Sequence, residues 1–403
     1  MKNNKHKIAV IVVVAAVFGL ASGIIGEMVA RTSFFGQAWR VPFFGEINFQ
    51  PTSNLSGPNL IIRDARKVVV EQNIKTEETI KAAADSLAGI FKKKQASKQT
   101  TGRATSTFNI DDYYLLDKPL AVGFILTSDG WLMSDFLPPE EKFNRQQSKI
   151  GAAATSTASQ YVVITKERKV YPVKRIIIDP VSNYSFWQVE ARDWPVKKIA
   201  ADREISPGQM AVAVNWGGQG LVATIAGWQK EKEVIRSSES YNRRLLLSPR
   251  PPENFKSSFL FNLNNDLIGF INREGRVLPS GNFSAIIKSL LKNGKIQRPY
   301  LGVNYIVLNN LIKPTGNSSA QNNNLSGVLV YAPAGQEAVA SGSPAALAGL
   351  RTGDIIKAVN NVSLDNDYDL AAALVGFTVG EEIDLTYYRQ GQEQVVRVKL
   401  GIK

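Results

Sequence analysis

Short apolar runs separated by turn residues dominate the chain between residues 120 and 272, and they restrict the possible folds more than any other feature. Segments of this length at regular spacing, with little helical periodicity between them, predict an all-β barrel or sandwich. A helix over Phe283–Lys292 is expected to close the region. The predicted strands are Val122–Leu126, Trp131–Ser134, Tyr161–Thr165, Val173–Ile178, Phe186–Val189, Gln209–Val214, Leu221–Trp228, Ser258–Leu263 and Leu267–Asn272.

The region before these strands has a different composition. Residues 27–70 are rich in Pro, Gly, Asn and Phe and have little periodicity, which is typical of a stalk. A short helix is predicted over Thr76–Ala88 with Thr76 as its N-cap, followed by a β segment over Ser86–Lys92. The polar stretch Lys93–Lys118 is interpreted as a surface loop.

A second module begins at Arg298. Its polar tract Lys313–Ser326 is too rich in Asn and Ser to pack and is interpreted as a loop. A helix is predicted from Pro344, a second helix over Tyr368–Val375 and a hairpin over Ile383–Lys399. This pattern favours a compact mixed α/β domain of about 100 residues.

The N-terminus predicts the topology of the chain. Lys2, Lys5 and Lys7 precede Ile8–Gly26, a segment of nineteen residues without charge. This is close to the ~20 residues that cross a bilayer as a helix. Basic flanks stay cytoplasmic, so the rest of the chain is expected outside the cytoplasm, in a periplasm or at a cell surface. A cleaved signal peptide remains the alternative.

The residue counts exclude several kinds of chemistry. The chain of 403 residues has no cysteine and one histidine, His6, which excludes disulfides, thiol nucleophiles and zinc fingers. No cluster of acids and histidines suggests a metal, and no cofactor is predicted. The net charge is +13, but the basic residues are scattered and have no aromatic platform beside them, so nucleic acid is not an expected partner.

Two motifs in the second module resemble PDZ domains. The run Ser343-Pro344-Ala345-Ala346-Leu347-Ala348-Gly349-Leu350-Arg351-Thr352-Gly353-Asp354 is similar to the SPAAxAGLxxGD signature of bacterial PDZ domains. Tyr300-Leu301-Gly302-Val303 resembles the carboxylate-binding loop of PDZ domains in the HtrA family. The resemblance implies that this loop binds peptide ends and that the following strand can be extended by a peptide. Leu374 would lie on the helix that forms the facing wall.

The β-rich region resembles the HtrA (DegP/DegS-like) serine proteases of trypsin fold. The similar segments are Gly123-Phe124-Ile125-Leu126, Asp129-Gly130-Trp131-Leu132-Met133-Ser134, Asp179-Pro180-Val181-Ser182-Asn183 and Asn262–Phe270. The resemblance implies a mainly β chain with a trypsin-like double β-barrel followed by an α/β PDZ domain, preceded by one transmembrane helix. The expected boundaries are 1–26 for tail and anchor, 27–74 for the stalk, 75–295 for the protease-like domain and 296–403 for the PDZ domain.

The catalytic positions implied by this resemblance carry other residues. Leu137 stands where the family has its histidine, Asn183 where it has its aspartate and Lys256 where it has its serine. Leu137 cannot accept a proton, and Phe255 and Lys256 replace residues of the tight turn that forms an oxyanion hole. The sequence therefore predicts a pseudoprotease without catalytic residues, although the family consists of serine endopeptidases.

The leading hypothesis is an envelope protein that binds extended or C-terminal peptide segments through Tyr300, Leu301, Gly302, Val303 and Leu374. Its role would be in protein quality control or protease regulation. The resemblance further implies a homo- or hetero-trimer formed through the barrel domain. An active endopeptidase that uses Lys256 with Ser257 or Ser258 is the first alternative. A structural envelope scaffold with an unused groove is the second.

Overall fold

The structure is a computed structural model. It divides into two compact units, residues 1–65 and residues 66–403. The described residues are 19, 22, 38–41, 45–48, 65–94, 109–139, 153–154, 158–229, 233–240, 243–311 and 326–402. In the unit of residues 1–65, β1 (Ala38–Val41) pairs antiparallel with β2 (Gly45–Asn48). Among the described residues, no helix is long and apolar enough to cross a membrane. The predicted anchor Ile8–Gly26 lies outside them except for residues 19 and 22, as does most of the predicted loop Lys313–Ser326.

Helix α1 (Ala65–Ala84) is longer than the sequence analysis expected. It begins eleven residues before the predicted cap Thr76, whose Oγ1 donates to the carbonyl of Gln72 one turn earlier. Thr76 is therefore an interior residue, and the prediction of an N-cap there was wrong. The segment Ala65–Lys75 contains neither Gly nor Pro, so nothing in it interrupts a helix. Ile80 packs against Gly220 of the second barrel described below.

The first barrel closes from six antiparallel strands. Going round it, β3 pairs with β4, β4 with β5, β5 with β9, β9 with β8, β8 with β7, and β7 with β3, while β6 adds to the edge of β8. Its interior contains Ile125, Leu132 and Trp187. The strands are β3 (Leu87–Lys92), β4 (Ala121–Ile125), β5 (Trp131–Ser134), β6 (Ala153–Ala154), β7 (Tyr161–Thr165), β8 (Val170–Asp179) and β9 (Tyr184–Val189).

The second barrel is also closed by six strands, in the order β10-β11-β13-β16-β15-β14. Its interior contains Ile225, Leu260 and Ile268. One strand in this part of the chain, β12, leaves the barrel. The strands are β10 (Met210–Val214), β11 (Gly220–Trp228), β12 (Ile235–Ser237), β13 (Leu245–Ser248), β14 (Ser258–Phe261), β15 (Leu267–Ile271) and β16 (Val277–Pro279).

A separate apolar cluster lies between the two barrels. Phe124 and Met133 point into it from the first barrel, and Phe259 and Phe270 from the second. Because neighbouring residues of a strand face opposite sides, these strands are buried on both faces. This explains why the sequence shows continuous apolar runs rather than alternation. Helix α2 (Ser284–Asn293) covers the cluster and ends at Gly294 in the left-handed conformation.

The C-terminal domain is the expected mixed α/β module. Its sheet has the order β12-β18-β19-β20-β22-β23, with β21 on β20, and β17 pairs with β24. The helix predicted from Pro344 is α3, and Ser343 caps it, because its Oγ accepts from the backbone N–H of Ala346. The elements are β17 (Pro299–Tyr300), β18 (Asn304–Val307), β19 (Val328–Val330), α3 (Pro344–Leu347), β20 (Ile355–Val359), β21 (Val362–Ser363), α4 (Leu370–Leu374), β22 (Glu382–Arg389), β23 (Gln392–Lys399) and β24 (Gly401–Ile402).

The sequence prediction of a mainly β chain, with two barrels that fit a trypsin-like fold and a following α/β domain, is confirmed. In the barrel region the strands β6, β13 and β16 were not predicted, and neither was β12. It comes from the connection between β11 and β13 of the second barrel, yet it forms the edge of the C-terminal sheet. Strand β12 therefore links the second barrel to the C-terminal domain, beside the predicted peptide-binding groove.

Candidate functional site

Three segments that carry the predicted catalytic positions meet between the barrels. The end of β5 pairs with the start of β9, since Ser134 lies opposite Ser185. Ser185 Oγ donates to the carbonyl oxygen of Phe136 at 2.5 Å. From the other barrel, Ser257 Oγ donates to Asp135 Oδ2 at 2.8 Å. The loop after β5 thus contacts the start of β9 through Phe136 and the start of β14 through Asp135.

The three positions themselves have different surroundings. Leu137 is half-buried in the loop after β5, and Asn183 is exposed in the β8–β9 turn with φ 58°. The Nζ of Lys256 pairs with Glu253 Oε2 at 2.5 Å. None of these groups is an imidazole or a carboxylate, and the chain's one histidine, His6, lies outside the described residues.

The two serines after Lys256 direct their hydroxyl groups elsewhere. Ser257 donates to Asp135, and Ser258 Oγ donates to the carbonyl oxygen of Phe255. A Ser–Lys dyad needs the amine to accept the hydroxyl proton directly. In the described geometry neither serine makes that contact with Lys256, whose Nζ is held by Glu253.

Asp135 is the centre of the polar contacts in this cleft, and the sequence analysis missed it. Its side chain is 8% exposed, and its Oδ1 pairs with the Nε of Arg273 at 3.3 Å. The guanidinium group of Arg273 also lies 5.2 Å from the ring centroid of Phe136. Ser257, Asp135 and Arg273 thus connect the two barrels through a charged, hydrogen-bonded bridge. This bridge holds the Ser257 hydroxyl group as a donor.

Tyr184 lies beside this bridge and was likewise not among the residues predicted from the sequence. Its side chain is 4% exposed, and its hydroxyl group has no hydrogen-bond partner among the described residues. Burial and the neighbouring Asp135 carboxylate raise the pKa of Tyr184 well above its ordinary value. The hydroxyl group therefore stays neutral and unsatisfied in the interior of the cleft.

The turn that carries Asn183 is held by the buried carboxylate of Asp179. Its oxygens accept from the backbone N–H groups of Val181 and Ser182 at 3.3 and 3.1 Å. Arg298 donates to both oxygens at 2.8 and 2.5 Å. Burial raises the pKa of Asp179, but the hydrogen bonds and charge of Arg298 outweigh it and leave the pKa below its ordinary value. This ion pair attaches the turn to Arg298, the residue directly before β17.

The predicted carboxylate-binding loop has the expected backbone geometry. Gly302 has φ +84°, and a Cβ there would lie 2.4 Å from Ser343 Cβ, so only glycine fits. The backbone N–H groups of Leu301 and Gly302 donate to one oxygen, Glu239 Oε1, at 3.0 and 2.8 Å. Two convergent N–H groups of this kind form an anion-binding nest. Here the anion is a side chain of the same protein.

The strand that follows the loop is extended by β12. Ile235, Arg236 and Ser237 lie opposite Ile306, Tyr305 and Asn304. The pairing continues past the strand, because the N–H of Ser238 donates to the carbonyl oxygen of Val303 at 2.8 Å. The N–H of Val303 in turn donates to Ser238 Oγ at 2.9 Å.

Leu374 lies on the short helix α4, within the predicted helical segment Tyr368–Val375. Leu374 is buried in the same apolar cluster as Leu301 and Val303, while Tyr300 is half-buried in β17. Asp369 caps the helix through the N–H of Ala372 and pairs with Arg236 Nη1 at 2.6 Å. Leu301, Val303 and Leu374 thus belong to one buried cluster, and the peptide-binding role of the five residues stays a prediction.

Sequence reasoning missed Arg236, Glu239 and Asp369. Asp369 carries a local signal, an acid directly before a helical segment, but this signal says nothing about Arg236. The other two stand in a polar stretch that resembles any surface loop. Within the described residues, no group of three or more His, Cys, Asp or Glu side chains could hold a metal ion.

Comparisons with known proteins agree with this architecture. The sequence model of the PDZ domain matches residues 299–400. The "Serine protease Do-like HtrA" of Lactococcus lactis subsp. lactis is 36% identical over 131 residues, covering 32% of this chain and 30% of that protein. The "Probable periplasmic serine endoprotease DegP-like" of a Marinomonas species is 24% identical over 294 residues, covering 70% and 56%.

Further matches have the same character. The "Putative serine protease HhoB" of Synechocystis is 24% identical over 296 residues, covering 69% of this chain and 65% of that protein. Among solved structures, "HtrA-type protease AlgW with decapeptide" has a TM-score of 0.45 and 16% identity, covering 81% of this chain and 98% of the other. The chain spans about a third to two thirds of the length of these curated relatives.

Proposed function

Because the chain belongs to the HtrA/DegP family of serine proteases and carries a C-terminal PDZ domain, we propose that it is a pseudoprotease that binds peptides. In this proposal the double barrel is a scaffold and cleaves no peptide bond. The PDZ groove binds extended or C-terminal segments of envelope proteins, in quality control or in the regulation of a protease.

One observation carries the proposal of inactivity. In the cleft between the barrels, the Ser257 hydroxyl group donates to Asp135, and the resemblance assigns Leu137, Asn183 and Lys256 to the positions of the triad. A serine hydroxyl group becomes a nucleophile when a positioned base takes its proton, and this base is usually a histidine. Asp135 is already engaged by Arg273, and Lys256 by Glu253.

The peptide-binding part of the proposal is supported by the groove. Strand addition to an open sheet edge and capture of a carboxylate by backbone N–H groups are the two contacts by which such domains bind peptides. The edge of β18 accepts an added strand, and the N–H groups of Leu301 and Gly302 converge on a carboxylate. Both contacts are made in this chain by one segment.

The proposed location is the cell envelope, with the chain held by the apolar segment Ile8–Gly26 and the barrels and PDZ domain outside the cytoplasm. The basic residues before this segment favour that orientation. The DegP-like relatives are named as periplasmic, which agrees with it. Assembly into homo- or hetero-trimers through the barrel domain is part of the same proposal and rests on analogy with the family.

A protease assay with an activity-based probe tests the proposal. The purified chain is incubated with unfolded casein and, separately, with a fluorophosphonate probe that labels activated serines. We expect no cleavage and no labelling, while an active HtrA protease assayed in parallel gives both. Labelling that disappears in Ser257→Ala or Ser258→Ala would show an active endopeptidase and refute the pseudoprotease.

A peptide library tests the groove. Peptides with free C-termini are screened against the chain and against Gly302→Trp, whose indole would fill the space now limited by Ser343. We expect selective binders that the variant loses. If no peptide is selected, or if Gly302→Trp binds the same peptides, the envelope scaffold with an unused groove becomes the better description.

A further inference from the structure

The PDZ groove of this chain is filled by the chain itself. Segment 235–240, which we call the internal segment, occupies the edge of β18 and the carboxylate-binding loop at once. It comes from the connection between β11 and β13 of the second barrel. The groove is therefore occupied by a segment located more than sixty residues earlier in the sequence.

The second barrel does not need this excursion. Strand β11 pairs directly with β13, with Ile225 opposite Leu247 and Trp228 opposite Leu245, so the barrel is closed without β12. A short hairpin loop would complete the same pairing. The contacts that hold the internal segment are instead made to the PDZ domain, and they account for its course.

The side chain of Glu239 acts as the carboxylate of a peptide end. Its Oε1 accepts from the N–H groups of Leu301 and Gly302 and from Ser238 Oγ, and its Oε2 accepts from Ser237 Oγ. Charge-assisted hydrogen bonds of this kind are roughly twice as strong as neutral ones. A carboxylate with four donors is a satisfied ligand of the loop.

A second anchor lies on the facing wall. Arg236 pairs with Asp369 at 2.6 Å, and their side chains are 16% and 8% exposed. Arg236 stands two residues before Ser238, whose N–H is the last to pair with the strand edge, at Val303. The groove thus combines a site for a carboxylate with a site for a basic side chain at a set spacing along one extended strand.

We propose that residues 235–240 are an internal ligand of the PDZ groove, and that external peptides bind only by displacing it. The external class is an extended peptide with a free C-terminal carboxylate and a basic residue two positions before its last residue. This inference rests on the proposed peptide-binding function and adds its regulation. Because the competitor is tethered, its effective concentration is on the order of millimolar, so it lowers the apparent affinity of every external ligand.

A binding experiment with the full chain tests the displacement. The probe is the fluorescently labelled peptide Glu-Val-Ile-Arg-Ser-Ser with a free carboxylate, which reproduces residues 233–238, and binding is followed by anisotropy. Glu239→Ala removes the internal carboxylate, and Glu233→Ala is the control, since Glu233 is an exposed acid at the start of the same connection. We expect Glu239→Ala to bind at least about tenfold more tightly than wild type, and Glu233→Ala to match wild type.

The chemistry of the ligand is tested with the same probe. Amidation of its carboxylate, or replacement of its arginine by glutamate, is expected to weaken binding to Glu239→Ala at least about tenfold. Asp369→Asn, placed in the Glu239→Ala background, keeps a capping side chain on α4 but removes the charge. This double variant should bind the arginine probe and the glutamate probe with similar affinity.

Hydrogen exchange provides a readout that needs no external peptide. Amide groups of 235–238 are expected to exchange slowly in wild type and at least about tenfold faster in the double variant Arg236→Ala/Glu239→Ala, which lacks both side-chain anchors. Equal exchange in the two chains would overturn the internal ligand.

These experiments distinguish a failure of the internal ligand from a failure of the proposed peptide binding. If wild type binds the probe as tightly as Glu239→Ala, the internal ligand is refuted while peptide binding stands. If the double variant releases the segment but no chain binds the probe, the proposed peptide-binding function fails, and the regulation inferred from it fails too.

Discussion

The ion pair between Asp179 and Arg298 allows a sharp test of how the barrel and the PDZ domain are joined. The change is Arg298→Ala. It leaves Asp179, whose side chain is fully buried, without its two guanidinium donors. Removing one partner of a buried ion pair costs about 3–5 kcal/mol, because the remaining charge is uncompensated. Val181 and Ser182 still donate to Asp179, so we expect the lower end, about 3 kcal/mol.

The measurement is the free energy of unfolding in urea, followed by tryptophan fluorescence. Arg276→Ala is the matched control, because Arg276 pairs with Glu274 and both side chains are more than half exposed. Exposed pairs of this kind contribute at most about 1 kcal/mol. Adding Asp179→Asn to Arg298→Ala should recover part of the loss, since a neutral amide no longer needs a cation.

The pH dependence of the free energy of unfolding tests the stabilising effect of this ion pair independently. The folded pKa of Asp179 is lowered from its ordinary 3.8, so the contribution of the pair is present above that value. It is lost as the pH falls through the lowered folded pKa. The difference between wild type and Arg298→Ala should therefore be constant from pH 6 to 8 and shrink below about pH 4. A loss no larger than that of Arg276→Ala, or a double variant as unstable as Arg298→Ala, would refute the reasoning.

Three further predictions concern stability and use the same unfolding assay. Burial raises the pKa of Asp202 to about 6, so its contribution to the free energy of unfolding should fall by about 2 kcal/mol as the pH rises from 4 to 7, and Asp202→Asn should abolish that fall. An unchanged profile contradicts this. Phe124 is fully buried between the barrels, and Phe124→Ala should cost about 3–5 kcal/mol; a loss below about 1 kcal/mol would show that the cluster is loosely packed. Tyr184→Phe removes a buried hydroxyl group without a partner and should raise stability by about 1 kcal/mol, whereas a decrease would reveal a partner that the structure lacks.

Local patterns were sufficient for most of the fold. Apolar runs predicted strands such as β4, β5, β14 and β15 because these are buried on both faces, as Phe124 and Ile125 illustrate from opposite sides of β4. The barrel strands β13 and β16 were missed. The helix predicted from Pro344 is present, with Ser343 as its N-cap. The prediction of an N-cap at Thr76 was wrong. The residues before it are polar, and polarity alone does not distinguish a threonine inside a helix from one at an N-cap.

The residues of the candidate sites also differ in whether the sequence alone could identify them. Gly302 in its motif could be recognised, since only glycine fits a backbone with φ +84° beside Ser343. Asp135 could not be singled out. Its importance comes from Ser257 and Arg273, which are 122 and 138 residues away along the chain. No local pattern records a partner at such a distance.

The sequence by itself determined the classes of chemistry open to this protein. With no cysteine, disulfides and thiol nucleophiles are excluded, and with a single histidine at position 6, only that residue could be the base of a Ser–His–Asp triad. The occupancy of the groove was decided only by the tertiary structure. Glu239 is an ordinary surface acid until the fold places it on the N–H groups of Leu301 and Gly302. Backbone donors carry no side-chain signature, so only the folded chain reveals which anion they bind.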